Sequence, residues 1–491
     1  MANSPVARAG PSPTRSGYRD LNQGPILRTL LMFSAPTLAS NILQSLSGSI
    51  NSIWVGHTLG PNALAATANA NVIMFLVFAT VFGFGMAAMI KVGQAFGAGN
   101  VAAARLTFAN ALTLCTGLAL IIAPAGWLFA PQLLRAMATP PEIFPLALVY
   151  LRVLLIGLPP AMVTLIIGMG LRGAGDAATS LRFMVLSVVL DTALNPLLIL
   201  GIGPFPRLGI AGSALASTLA SITAMAAMLL YVYARNLPVR LGWSEIGFLR
   251  PRLDEMRFIL GKGLPMGAQM LMIAAAGLIM IGLVNREGAM ASAAYGASLQ
   301  VWTYLQMPAM AIAASLSAMV AQALGAGLTD RLDKVTRAAL ILHFAITGAM
   351  AVLLAVFDRS VMELFLGGQE QTVMLARHIQ LLASWSFIMF GITVMLFGAM
   401  RAGGVVLVPL FVMGTALYPV RLGFYALAYP AIGADAIWLA YPVGSFAAVA
   451  MAALAYHRPE WRKRAQILPN TAGSEETSAD GDCAGRMAPQ A

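Results

Sequence analysis

The chain has 491 residues, of which 59% are hydrophobic and only 10% charged, whereas soluble domains carry about 25% charged residues. That composition excludes a soluble globular protein, and the lack of any period-two alternation excludes a closed barrel, leaving an all-α integral membrane protein. The net charge of +11 is scattered through polar connections instead of forming a stripe, so it reads as an orientation signal and not as nucleic-acid binding.

Residues 1–24 form a polar tail without the apolar core and cleavage site of a signal peptide, so the first span is expected to target the chain. Apolar segments follow at 27–55, 63–92, 106–129, 142–171, 178–203, 209–234, 257–285, 291–323, 334–357, 371–400, 405–430 and 434–457, which predicts twelve transmembrane helices. Most Lys and Arg fall at alternate connections: Arg8, Arg15, Arg19 and Arg28, then Lys91 and Arg105, then Arg172 and Arg182. Arg235 to Lys262, Arg331 to Arg337, Arg401 and the basic residues after Arg458 continue the pattern. Both termini are therefore expected to be cytoplasmic. Two cysteines, Cys115 in a span and Cys483 in a polar tail, are expected to be free thiols.

The chain repeats itself. GQAFGAGN at 93–100 returns as AQALGAGL at 321–328, and the segment Arg28 to Pro36 resembles Arg257 to Pro265. MGLRGAG at 169–175 returns as GAMRAGG at 398–404, and TALNP at 192–196 as TALYP at 415–419. The order is the same and the spacing nearly constant. The domains predicted are an N-lobe at 25–234, a basic connection at 235–256, a C-lobe at 257–457, and a cytoplasmic tail at 458–491 that reads as disordered. Six spans per half put both halves the same way up around a central cavity, an architecture suited to alternating access.

An acid inside a span is costly and rarely tolerated without use. Asp191 is the candidate, about 13 Å beyond Arg182 along its helix. Asn195 shares its face, and Pro196 frees the carbonyl of Thr192. Carboxylate, amide and carbonyl together suit a proton or a small cation such as Na+. A neutral interhelical contact is the alternative. In the first span Asn41, Gln44, Gly48 and Asn51 trace one polar stripe, and Asn51 lies at a depth similar to Asn195. Asn41 and Gln44, with Asn69 of the second span, are candidates for a substrate cavity, with interhelical packing as the alternative. Met270, Trp302 and Gln306 are candidates for apolar and aromatic contacts with a cationic ligand. The four histidines show no metal-ligand spacing, and no nucleophile motif or phosphate loop is present, so neither a metal site nor an enzyme is expected. No cofactor is expected beyond H+ or Na+ as coupling ion.

The segments LLMFSAPTLASNILQSLSGSINSIWVGHTLGPNALAA, VGQAFGAGN, LRGAGD and ALNPLLILGIGPFPRLGIAGSALAS resemble those of the multidrug and toxic compound extrusion family, over residues 24–457. The resemblance implies a two-lobed exporter of the bacterial inner membrane, acting as a monomer, that exchanges H+ or Na+ for organic cations or amphipathic compounds. It also implies departures. Many bacterial members carry an aspartate where Asn51 stands, and in the fifth span an Asn, three further residues and then an Asp or Asn, whereas here Asp191 precedes Asn195. Some members have an acid in the seventh span, yet LPMGAQMLMIAAAGLIM has none, which favours H+. The expected ion-coupling residues are thus Asp191, Asn195 and Asn51. A lipid-linked saccharide flippase and a membrane-embedded transferase are the rival readings. The first needs more Arg and Lys in the cavity, the second a catalytic acid–base pair.

Overall fold

The repeated glycine motifs are where helices stop. In the computed structural model, which describes residues 20–458 and 461 apart from 204 and 368, Gly99, Gly175, Gly327 and Gly404 all have left-handed backbone (φ +73°, +90°, +73° and +80°). Each ends a span, since a side chain at that φ is strained. Asn100 and Asp176 then start the next helices by accepting the backbone N–H of Ala103 and of Thr179, a capping geometry that satisfies donors the helix leaves free.

Every regular element among the described residues is helical: α1 (Ile26–Leu59), α2 (Pro61–Gly97), α3 (Val101–Ala136), α4 (Phe144–Ile156), α5 (Leu158–Gly173), α6 (Ala177–Leu200), α7 (Ile210–Ala234), α8 (Leu253–Asn285), α9 (Ala289–Gly325), α10 (Thr329–Val356), α11 (Asp358–Leu366), α12 (Glu370–Ala383), α13 (Ser386–Ala402), α14 (Leu407–Thr415), α15 (Arg421–Ile432) and α16 (Asp435–His457). Ten spans satisfy length and apolarity, and two bent pairs, α4–α5 and α12–α13, complete twelve. The predicted tail beyond Leu468, with Cys483, and most of the first 24 residues lie outside the described residues. Cys115 is buried and free.

Three spans expected to be continuous are broken. α4 and α5 meet at 49°, because Pro159 and Pro160 lack N–H groups and Gly157 lies against Thr218, where an added Cβ would sit 2.6 Å from the hydroxyl. α12 and α13 meet at 43° without a proline. There Ser384 turns its hydroxyl to Trp302 Nε1 at 2.9 Å. The eleventh span is interrupted by a π turn at Ala416–Val420, which contains Pro419.

The two lobes pack through glycine. An added Cβ on Gly83 of α2 would come within 2.3 Å of the Gly263 carbonyl on α8, so the helices touch backbone to backbone, as small residues permit in lipid. At the end of the bundle that carries Asn100 and Gly327, the basic end, the repeated glutamines exchange places. Gln94 of the N-lobe donates to the Ala402 carbonyl of the C-lobe at 2.8 Å, and Gln322 of the C-lobe donates to the Gly173 carbonyl of the N-lobe at 2.9 Å. Each side-chain amide thus satisfies a terminal helix carbonyl of the opposite half. Gly97 lies on the Gln322 carbonyl and Gly325 on the Gln94 carbonyl. The strap before α1 joins this floor: Leu21 N–H donates to Gln322 Oε1 at 3.0 Å, and Arg331 donates to the Leu21 carbonyl at 3.2 Å. A buried pair, Lys91–Glu255 at 2.7 Å, also bridges α2 and α8. The lobes are closed against each other at the basic end.

Candidate functional site

Asp191 lies midway along α6, packed against α1 and α7, and is only 7% exposed. Ser217 of α7 donates to its Oδ1 at 2.7 Å, and Ser47 of α1 donates to Oδ2 at 3.3 Å. Asn195 Nδ2 donates to the Asp191 carbonyl at 2.8 Å and to Oδ1 at 3.3 Å. The fully buried Asn195 Oδ1 receives no hydrogen bond. An unpaired acceptor beside a carboxylate is costly, and it marks a place ready for a donor or a cation.

Asn51 belongs to a neighbouring set of bonds. Its Nδ2 donates to Tyr150 Oη at 3.1 Å, and Ser213 Oγ donates to its Oδ1 at 2.6 Å. α1, α4 and α7 are thereby tied together beside the acid; no direct bond joins Asn51 to Asp191. Sequence reasoning missed Ser47, Ser213, Ser217 and Tyr150.

A second feature lies between the lobes. A cavity of about 50 Å³ is lined by five methionines (Met86, Met266, Met270, Met310 and Met413), three phenylalanines (Phe82, Phe390 and Phe397), two aliphatic residues, Gln269 and Arg401. Only Phe82 and Met86 belong to the N-lobe. Thioethers repack around different apolar shapes at low cost. Met270 is in this lining, while the other residues singled out for a substrate cavity stand elsewhere. Trp302 is 1% exposed and is enclosed by Tyr295, Phe387 and Tyr441, with its indole N–H held by Gln380 and Ser384. Gln306 donates to the Trp302 carbonyl. Asn69 reaches Thr139 at 3.5 Å, tying α2 to the α3–α4 connection. Asn41 is half-buried and Gln44 exposed on α1.

The histidines show one pairing that sequence spacing concealed: His378 lies 2.8 Å from Asp435 at the end of the bundle opposite the basic one. Among the described residues no group of three or more His, Cys, Asp or Glu could hold a metal ion.

A duplicated helical bundle with a buried acid in one half and an adaptable cavity between halves defines a membrane transporter, and comparison with known proteins agrees. The MatE family model matches residues 36–197 and again 265–427, once in each lobe. The chain is 31% identical over 441 residues to the probable multidrug resistance protein YoeA of Bacillus subtilis, covering 89% of this chain and 95% of that one. It is 29% identical over 443 residues to the probable multidrug resistance protein YpnP of the same organism, covering 89% and 96%. Its fold is similar to a crystal structure of a MATE protein in complex with MaD3S, with a TM-score of 0.82 at 21% identity, covering 90% of this chain and 98% of that one. The chain belongs to the multidrug and toxic compound extrusion family: it is a multi-pass membrane transporter and not an enzyme.

Proposed function

We propose that the protein is a proton-coupled antiporter that exports amphipathic small molecules by alternating access between its two lobes. The multidrug resistance proteins it is similar to support the drug class. The observation that carries the coupling reading is Asp191. It is the one carboxylate among the described residues buried midway along a span, and it stands beside the unpaired Asn195 Oδ1.

Deprotonated, Asp191 is held by the hydroxyls of Ser47 and Ser217, which fastens α1 and α7 to α6. Protonated, it gains a donor that Asn195 Oδ1 lacks, and its hold on the serines weakens because hydrogen bonds to a charged group are the stronger ones. The proton therefore shifts the packing preference of three N-lobe helices, which is a differential interaction of the kind a two-state transporter requires. Proton entry is assigned to the end opposite the basic one, with the basic end and both termini in the cytoplasm and the chain in the inner membrane as a monomer. H+ is taken as the coupling ion because Asp191 is the one carboxylate at this point, a charge that a single proton neutralises, and the seventh span carries no acid for a second site. A single guanidinium in the inter-lobe cavity falls short of what a lipid-linked pyrophosphate needs, which disfavours a saccharide flippase.

Everted vesicles with an imposed pH gradient test this reading. Asp191→Asn is expected to abolish uphill drug accumulation while leaving downhill exchange measurable. Uphill accumulation by that variant, or a requirement for Na+ in place of the pH gradient, overturns the assignment.

A further inference from the structure

The chemistry of the inter-lobe cavity narrows the cargo. We propose that the cavity takes the carboxylate of an amphipathic, aromatic cargo, with the Arg401 guanidinium as its ionic partner and the Gln269 amide as a second hydrogen-bonding group. This rests on the exporter reading only for the purpose of the cavity and not for its binding chemistry.

Three observations lead there. Arg401 lines the cavity, and its one hydrogen bond runs from Nε to the Phe397 carbonyl of its own helix at 3.2 Å. No described carboxylate lies within ion-pair distance of it, in contrast to Lys91, Arg105, Arg359 and Arg377, each of which has an acid. Both terminal nitrogens of the guanidinium are thus left for a ligand, and their fork matches the two oxygens of a carboxylate.

Gln269 is the second observation. It is 6% exposed and lines the same cavity, yet makes no hydrogen bond to any described residue. An amide on the cavity wall without a protein partner is open to a bound acceptor or donor. The third is the remainder of the wall, all methionine, phenylalanine and aliphatic, which suits an aromatic body and moves aside to admit it. No acid lines the cavity, so a purely cationic cargo meets only a like charge there. Arg172, the repeat counterpart of Arg401, is not in the lining, so the anion preference belongs to the C-lobe side.

Two probes with one fluorophore test the proposal on the full-length protein in lipid nanodiscs at neutral pH: dansylglycine, a carboxylate, and dansylcadaverine, an amine. Dansylglycine is expected to bind at least about tenfold more tightly. Arg401→Gln is expected to remove that advantage while binding dansylcadaverine at least as tightly as the parent does, which also shows that the variant is folded. Arg401→Lys should keep part of the preference, since an ammonium supplies the charge without the fork. Equal or tighter binding of dansylcadaverine to the parent, or an undiminished preference in Arg401→Gln, overturns the proposal.

If Arg401→Gln does not fold, Gln269→Glu serves instead. A carboxylate in the same cavity offsets the guanidinium and is expected to remove the preference; an unchanged preference is the contrary result. Gradient-driven uptake of dansylglycine by everted vesicles separates the two claims. Preference without uptake removes export and keeps the site, whereas uptake without preference removes the site and keeps export.

Discussion

At the floor of the bundle the two halves are interchangeable, and midway up they are opposites. At the floor Gln94 and Gln322 perform the same task on each other's lobe, and Gly97 and Gly325 occupy the same position against each other's backbone. Midway, the N-lobe buries a carboxylate, Asp191, about 14 Å from the end of α6. The C-lobe buries a guanidinium there instead: Arg421, about 17 Å from the end of α15, 9% exposed and 4.4 Å over the Tyr441 ring. Tyr441 shares a hydrogen bond with Tyr295. On a surface where the two halves meet, each residue must fit its counterpart, so a change in one half is constrained by the other. A site enclosed within one lobe carries no such constraint. Duplication therefore kept the closing surfaces alike and released the interiors to take opposite charges.

The most severe way to break the floor is to give either glycine a side chain. An added Cβ on Gly97 would lie 2.0 Å from the Gln322 carbonyl, and one on Gly325 would lie 1.9 Å from the Gln94 carbonyl. Neither obstacle is a flexible side chain, so the lobes must part. Gly97→Ala and Gly325→Ala are each expected to lower export about a hundredfold, which corresponds to ~2.7 kcal/mol, and to expose thiols introduced at the floor to reagents from the basic end. Export at the parent rate by one of the pair and not the other breaks the equivalence.

The interiors should respond unequally. Ser217→Ala removes a 2.7 Å bond to the Asp191 carboxylate, and loss of a bond to a charged group, about 1.5 kcal/mol, lowers export roughly tenfold. Arg421→Met removes a buried charge that pairs with no described acid, and relief of its desolvation offsets the lost contact with the Tyr441 ring. The variant is expected to melt at or above the parent temperature and to keep its export rate. A large loss of export there assigns the C-lobe charge a role equal to that of Asp191.

Much of this contrast was legible in the sequence, for physical reasons. Twelve spans follow from the thickness of a bilayer, and the repeat from four motifs in one order. Asp191 stood out because few unused acids survive in a span. Its partners did not. Ser213 and Ser217 lie in IAGSALASTLAS, where small hydroxyl residues read equally as helix packing. Tyr150 comes from a separate span, and no periodicity links it to Asn51. Arg401 was counted among orientation charges, since its place at a helix end gave no sign that it faces a cavity. Trp302 drew attention as an aromatic among polar residues, yet the partners that enclose it come from α12, α13 and α16. The repeated glutamines were visible as a motif, but that each serves the other lobe is a property of the assembled bundle alone.

The twin glutamines are not wholly alike. Gln94 makes one side-chain bond across the interface, to Ala402. Gln322 bonds Gly173 and also receives the Leu21 N–H of the strap. Gln94→Leu and Gln322→Leu both orphan a terminal carbonyl, but Gln322→Leu orphans the Leu21 donor as well. It should destabilise the protein by about 1 kcal/mol more, read as the difference in melting temperature in nanodiscs. Equal losses would mean that the strap contributes nothing to the floor.

The smallest effect expected lies in the connection between the lobes. Glu245 binds Arg105 at 2.9 Å and 3.0 Å and accepts the Gly242 N–H at 2.8 Å. Burial alone raises the Glu245 carboxyl, but the Gly242 N–H and the Arg105 guanidinium outweigh it and hold the group below the ordinary glutamate range. A carboxyl whose folded-state value is depressed contributes stability above its unfolded value and loses it as the pH falls through the folded one. Because the pair is only part-buried, screening keeps its worth small. Acidification below the ordinary glutamate range should therefore loosen residues 242–249, seen as roughly threefold faster hydrogen exchange after correction for intrinsic rates. Glu245→Gln should show the same exchange at neutral pH and no further change with acid. If that variant retains the parent's pH dependence, another group anchors the connection, and the halves are joined there by something other than this pair.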